Sequence, residues 1–288
     1  MIIAILGIGE AGGTLARDLI AQGIQVRSWD PVPRNLPDGL NFTSSNPAAV
    51  SGADIVLSVN WASVTLEVAA EVASVLRPNQ LFADMNTAAL QLKRNSAPII
   101  EQTGALFIDG ALMDPVPPKG LATQVYASGS GAKLFAEKMT PLGMPVTFLD
   151  HAAGNAATHK LVRSIMYKGV AAVVMECLEA AEAFNMQEYA RAQMLKIIHD
   201  EAMIDRFVSG SIKHAKRRAQ EMEAVVEMLN AVGVSAFASE AALKRLQEIT
   251  EKETRQKKYS LLERTPPISF GARRERMPSS LRKAGARA

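Results

Sequence analysis

Two groups of residues in this 288-residue chain have the types and spacing that chemistry requires. The first is Gly7-Ile8-Gly9-Glu10-Ala11-Gly12, which fits G-x-G-x-x-G and stands between an apolar run, Ile2–Leu6, and a helix-like stretch. In that context the first glycine permits a tight turn and the second lets the backbone approach a pyrophosphate. The third lets helix and strand pack closely. Phosphate charge then rests on free N–H groups at a helix N-terminus. Asp30 ends the next strand candidate 23 residues after Gly7, where a carboxylate can accept hydrogen bonds from both ribose hydroxyls. A tight βα turn alone would explain the glycines, but not the correctly spaced acid. The pattern therefore implies a dinucleotide cofactor. Asp30 repels a 2′-phosphate and favours NAD, while Arg34, four residues on, leaves NADP open.

The second group is a polar stripe of Lys160, Ser164 and Tyr167 on an otherwise apolar helical stretch, one face at i, i+4 and i+7. Hydride transfer from an alcohol to a nicotinamide releases a proton that the protein must accept, and the reverse reaction needs one supplied. A solvated lysine, with pKa near 10.4, is a poor base at neutral pH. Desolvation or a neighbouring cation lowers that value, and Arg163 lies one turn from Lys160. Spacing alone equally allows a lysine that snorkels from a buried helix and a tyrosine that merely packs its ring.

The elements that must position these residues fall into two halves. Strand candidates are Ile2–Leu6, Gln25–Trp29, Asp54–Val59, Leu81–Met85, Ala105–Ile108, Thr123–Ala127 and Val146–Leu149. Helical stretches at 12–21, 62–76 and 90–102 alternate with the first of them. This βαβ order predicts an α/β Rossmann domain, a doubly wound and mostly parallel sheet, over residues 1–150. An all-α domain follows over 151–260, joined by a long interdomain helix at 155–184 that is apolar almost all round. Further helices are expected at 187–202, 212–231 and 239–257. The last segment, 261–288, carries seven Arg or Lys against two Glu and is rich in Pro, Ser and Gly. It reads as a loosely ordered basic tail.

From the glycine loop to residue 168 the order of motifs resembles the β-hydroxyacid dehydrogenase superfamily, which includes 3-hydroxyisobutyrate and 6-phosphogluconate dehydrogenases. Asp84-Met85-Asn86-Thr87 resembles the family's D-x-S-T turn near the nicotinamide. Asp109-Gly110-Ala111-Leu112-Met113 stands where the family has its substrate-binding D-x-P-V-S segment. Gly154-Asn155-Ala156-Ala157-Thr158-His159-Lys160 resembles the G-x-G-x-x-x-K that carries the catalytic lysine. The run from His214 to Glu223 resembles a branch with a small phosphogluconate-dehydrogenase-like helical domain. The resemblance implies an active-site cleft between the two domains, with Lys160 as the general acid–base residue. It places the cofactor against Gly7, Ile8, Gly9, Glu10, Ala11, Gly12, Asp30, Asn60 and Asn86. The candidate substrate residues are Asn86, Met113, Asp114, Ser164, Tyr167, His214, Arg217 and Arg218. Three departures stand out: Ala156 replaces a glycine, Ser164 replaces an asparagine, and Met113-Asp114-Pro115 replaces a Ser-Gly-Gly that holds a carboxylate. Proline removes a donor there, and Asp114 would repel an anion.

Composition narrows the function classes. Hydrophobic residues make up 48% and charged residues 21%, the balance of a globular protein. No apolar run approaches the roughly 18 residues of a membrane span, and no basic leader precedes the glycines. Cys177 is the single cysteine, so an internal disulfide is excluded and a reducing, cytoplasmic setting is expected. The net charge of +3 comes from the tail, so nucleic acid is not an expected partner. Cys177 and the four histidines lack zinc-ligand spacing, and no metal is expected. The apolar 155–184 helix predicts a homodimer. The expected activity is NAD(P)-dependent hydride transfer on a small polar, anionic alcohol or its carbonyl partner. Imine reduction, oxidative decarboxylation and a non-catalytic dinucleotide sensor are the alternatives.

Overall fold

A computed structural model describes residues 1–264. The chain divides into a compact unit, Met1–Thr250, and a second, Glu251–Ala288. The basic tail expected over 261–288 lies almost wholly outside the described residues.

Eight strands form one sheet: β1 (Ile2–Leu6), β2 (Gln25–Trp29), β3 (Asn41–Phe42), β4 (Ile55–Ser58), β5 (Leu81–Asp84), β6 (Leu106–Leu112), β7 (Val125–Ser128) and β8 (Val146–Asp150). Their spatial order is β3-β2-β1-β4-β5-β6-β7-β8, and every pair is parallel except β6 with β7. The central strands β1, β4 and β5 are near-continuous apolar runs because helices cover both faces of a parallel sheet. One face packs Ile3, Ile5 and Leu57 beneath Leu15 and Leu19 of α1 (Glu10–Ala21). The other packs Ala4, Leu6 and Phe82 beneath Ala49 of α2 (Asn46–Val50), Val68 and Val72 of α3 (Thr65–Ala73) and Ile100 of α4 (Leu90–Glu101). Short helices α5 (Val116–Lys119) and α6 (Ala132–Met139) flank β7. The order reverses between β1 and β4, so loops at the carboxyl ends of these strands frame the crevice where such sheets bind ligands.

Three sequence expectations are corrected. β6 does not stop at Ile108 but runs to Leu112, because Asp109–Leu112 pair antiparallel with β7. The Asp109–Leu112 segment, matched to a substrate-binding stretch, is thus mostly buried strand. The helix expected over 187–202 is two, α8 (Gln187–Ile198) and α9 (Glu201–Lys213). His199 takes a left-handed backbone, φ 57°, and the Asp200 side chain then caps α9 by accepting from Met203 N at 2.9 Å. The helix expected from Ile212 begins instead as α10 (Ala215–Ala231), so the basic run from Lys213 to Arg218 straddles a corner with His214 at its apex.

The long helix is α7 (Asn155–Ala183), followed after α10 by α11 (Phe237–Arg264). One side of α7 is buried: Leu161 packs with Met222 and Val225 of α10, and Ala171 and Val174 pack with Ile204 and Phe207 of α9. The opposite side leaves Val162, Met166, Val173, Cys177 and Phe184 exposed at helical spacing. Among the described residues no helix is long and apolar enough to cross a membrane.

Candidate active site

The glycine loop has the geometry its letters require. Gly7 sits at φ 95°, and a Cβ there would meet the Val59 carbonyl oxygen at 2.7 Å. A Cβ on Gly12 would lie 2.0 Å from the Gly7 carbonyl oxygen, so this close packing of turn and helix excludes any side chain. A Cβ on Gly9 would meet no described atom within 4 Å, which leaves open space beside the start of α1. Gly9 is the N-cap residue, and no side chain caps the helix there. The loop therefore presents free N–H groups to a space that an anion can enter.

Asp30 braces this loop. One carboxylate oxygen accepts from Ile8 N at 2.8 Å and the other from Val32 N at 2.8 Å. Each oxygen keeps a second acceptor position. Beyond the end of β5, Asn86 donates from Nδ2 to Asn60 Oδ1 at 2.7 Å and to Thr65 Oγ1 at 3.3 Å. Asn86 Oδ1 is buried with no hydrogen-bond partner among the described residues. An orphaned acceptor of this kind fits a bound amide or hydroxyl donor.

Lys160 reaches the same edge of the sheet. Its ammonium donates to Thr87 Oγ1 at 2.5 Å, which joins α7 to the loop that follows β5. Part of the side chain meets solvent, yet burial of the ammonium pushes its pKa down to about 8. Glu221 opposes this shift, while Lys168, Arg217 and Lys93 reinforce it. A lysine so placed can exchange protons near neutral pH.

Two buried charge clusters that spacing did not single out hold this arrangement. In the first, Lys93 of α4 is fully buried and donates to the Asp84 carbonyl oxygen at 2.7 Å. Its ammonium lies 3.1 Å from Asp84 Oδ2 and 3.3 Å from Asp109 Oδ1. Asp84 Oδ1 accepts from Asn86 N at 3.0 Å, and Asp109 Oδ2 accepts from Gly154 N and Ala157 N at the start of α7. Lys93 thus ties the Asn86-Thr87 loop to the base of the lysine helix. Burial raises the Asp84 pKa despite Lys93. In the second cluster, Glu221 of α10 accepts from both Lys168 and Ser164. A charge at i+8 from Lys160 on a mostly apolar helix was the available sequence signal for Lys168. Glu221 had none that pointed to Lys168 and Ser164, because both are distant in the chain.

The other candidate residues are placed as follows. Ser164 is buried inside the second cluster. Asp114 pairs with Lys119 at 2.7 Å and with Arg163 at 3.5 Å, so its charge is offset by two cations. Arg163 also donates to the Met113 carbonyl oxygen. Tyr167 packs edge-on to Phe207 and lies under the Arg218 guanidinium, 5.5 Å from its ring centre. Arg218 is itself buried and donates to Ser211 Oγ at 2.9 Å. Arg217 remains half exposed, 3.8 Å from Glu221. His214 is half-buried, and burial, reinforced by Arg217, lowers its pKa. The corner bearing it faces the glycine loop, because Lys213 pairs with Glu10 at 3.0 Å.

The fold and this edge define a chain with an N-terminal NAD(P)-binding domain and a helical domain placed over its carboxyl edge. Residues 2–112 match the family described as the NAD-binding domain of 6-phosphogluconate dehydrogenase, and residues 185–249 match a domain of unknown function, DUF1932. Together these matches make the chain similar to members of the β-hydroxyacid dehydrogenase superfamily, followed by a C-terminal helical domain. A curated relative from Mycobacterium tuberculosis, described as a probable 3-hydroxyisobutyrate dehydrogenase, is 25% identical over 193 residues. That match spans 65% of this chain and 64% of the relative's length. A conserved hypothetical protein from Sinorhizobium meliloti has a solved structure with TM-score 0.67 and 27% identity, covering 86% of this chain and 87% of its own. The solved 3-hydroxyisobutyrate dehydrogenase of Mycobacterium tuberculosis with L-serine aligns with TM-score 0.71 and 18% identity over 87% of this chain and 94% of its own, a likeness of fold.

Proposed function

We propose that the protein is an NAD(P)-dependent oxidoreductase of the β-hydroxyacid dehydrogenase type that acts on a small polar, anionic alcohol or its carbonyl partner. The observation that carries this is the Lys160 ammonium, depressed by burial and seated on Thr87 beside Asn86 at the carboxyl edge of the sheet. A dinucleotide fits the residues present. The open face at Gly9 and the N–H groups of Glu10, Ala11 and Gly12 suit a pyrophosphate. The free acceptor capacity of Asp30 suits ribose hydroxyls and favours NAD. Asn60 and Asn86 suit the nicotinamide end, where the orphaned Asn86 oxygen needs a donor. The nicotinamide, when bound, supplies hydride exchange. Lys160 takes the hydroxyl proton in oxidation and returns one in reduction. Arg217, His214 and Lys213 line the corner that would receive the substrate's negative charge, whereas Arg218 supports the corner from within.

The test is a screen of short hydroxy acids and their carbonyl partners with NAD and NADP, followed by reduced-nicotinamide absorbance. Turnover with at least one is expected. Cofactor binding without turnover on any substrate would leave a dinucleotide sensor as the better reading. Released carbon dioxide would indicate oxidative decarboxylation instead.

Two glycine variants separate cofactor binding from folding. Gly9→Ala adds a Cβ into open space, so its Tm should match the parent while cofactor affinity falls about tenfold or more, each tenfold being about 1.4 kcal/mol. Gly12→Ala drives a Cβ into backbone, and overpacking of this kind costs about 1–3 kcal/mol. Its Tm should therefore fall. Calorimetry with cofactor titration reads both, and equal Tm losses would remove the distinction.

The exposed stripe on α7 supports a homodimer through the helical half. Met166 is 71% exposed and Val173 68%, on the side of the helix opposite its buried contacts. Leaving such area in water forfeits about 25 cal/mol per Å². Sedimentation should give a dimer at micromolar concentration for the parent and a monomer for Met166→Glu/Val173→Glu. A monomeric parent would overturn the assignment.

A further inference from the structure

Glu221, Lys168 and Ser164 form a buried polar cluster in a helical core that could have been filled with apolar side chains. Glu221 is 2% exposed, and one of its oxygens accepts from both Lys168 Nζ and Ser164 Oγ. Lys168 Nζ donates to Ser164 Oγ at 2.8 Å, and Ser164 Oγ lies 2.9 Å from the Lys160 carbonyl oxygen. A hydroxyl has one proton. With Lys168 donating into its lone pair, Ser164 gives that proton to the charged carboxylate, the stronger acceptor. Replacing a buried ion pair by well-packed apolar residues is often neutral or stabilising, so stability is a weak reason for this cluster. Its location gives a better one. Ser164 and Lys168 follow Lys160 at one and two helical turns on the same face, and Glu221 is brought to that face by α10.

We propose that Glu221, with Lys168 and Ser164, is the positioning element that sets the protonation of Lys160, Glu221 holding the proton on and Lys168 driving it off. This rests on reading Lys160 as the proton carrier. The charges that act on Lys160 come from three elements: Glu221 and Arg217 of α10, Lys168 of α7 and Lys93 of α4. The neighbouring charges have partners of their own. Asp84 and Asp109 of the sheet hold Lys93, Asp114 holds Lys119 and Arg163, and Arg218 is bonded to Ser211. Asp150 of β8 is bonded to Asn155, and His159 donates from Nδ1 to the Asn155 carbonyl oxygen. Glu221, buried against the face of α7 that carries Lys160, is the anion among the charges that act on this lysine, and it opposes the cations.

The test reads Lys160 directly and independently of activity. The full-length protein is labelled with trace acetic anhydride across a pH series, and the Lys160 peptide is quantified by mass spectrometry. Glu221→Gln should move the Lys160 titration midpoint down, and Lys168→Met should move it up, each by about one pH unit. The double variant Glu221→Met/Lys168→Met, which buries no unpaired charge, should fall between them. It supplies the comparison if either single variant fails to fold. Midpoints that stay at the parent value, or that move in the same direction in both single variants, would overturn the proposal. The pH profile of turnover is recorded in parallel. If the labelling midpoints move as stated while turnover ignores them, Lys160 is not the proton carrier and the cluster assignment stands. If turnover follows Lys160 but the variants leave its midpoint in place, the cluster assignment fails.

Discussion

Lys160→Ala is expected to lower turnover by about 10²–10⁴-fold, the usual contribution of a general acid–base group, while leaving cofactor affinity within a few-fold of the parent. The reason is geometric. Lys160 bonds Thr87 at the edge of the sheet and makes no contact with the glycine loop's free N–H groups. Stopped-flow rates and cofactor titration on the same preparation check both halves, and a variant within threefold of the parent rate would reassign Lys160 to structure. The pH dependence has a defined sign. Oxidation of an alcohol needs the neutral amine, so its rate should rise with pH through about 8, where burial places this lysine. Reduction of the carbonyl needs the ammonium, so that rate should fall through the same value.

Lys93→Met is expected to cost about 3–5 kcal/mol of stability, the range for breaking a buried ion pair by removing one partner. The lysine is fully buried between Asp84 and Asp109, and methionine leaves the two carboxyl groups with no cation between them. For a protein of this size the Tm should fall by roughly 10 °C. Burial already holds the Asp84 pKa above its unfolded value, and loss of Lys93 raises it further. A carboxyl raised on folding binds protons more tightly in the folded state, so lowering the pH favours that state. The deficit relative to the parent should therefore be largest at neutral pH and shrink as the acidic range is entered. Thermal unfolding at several pH values measures this, and a deficit independent of pH would show that the carboxyl groups do not carry the loss. Activity should fall as well, since Lys93 joins the Asn86-Thr87 loop to the α7 start through Asp84 and Asp109.

The parts legible in the sequence are those governed by local rules. Gly7 and Gly12 have no freedom of identity where this strand turns into a helix, since a Cβ on either would meet backbone, and Gly9 leaves open space beside the helix start. Periodicity located β1, β2 and α7 to within a residue or so, because burial on a regular element repeats regularly. It failed at His199-Asp200, where a single left-handed residue and a side-chain cap interrupt an unbroken helical pattern. It also stopped β6 too early, since Asp109 reads as a turn residue until the antiparallel partner β7 is known. Lys160 and Ser164 were visible as a polar stripe on an apolar helix. Their environments were not, because the Lys160 ammonium is shaped by Thr87, 73 residues away, and the Ser164 hydroxyl by Glu221, 57 residues away. His214, Arg217 and Arg218 stood together as candidate substrate residues. The faces of α10 separate them, turning Arg218 and Glu221 inward while Arg217 stays half exposed. Sequence alone determined the glycine turn at the first strand and a polar stripe on an apolar helix, and it left the role of Lys160 open. Tertiary structure decided the charges around that lysine, because Coulomb interactions depend on distance in space and on burial, neither of which residue spacing records.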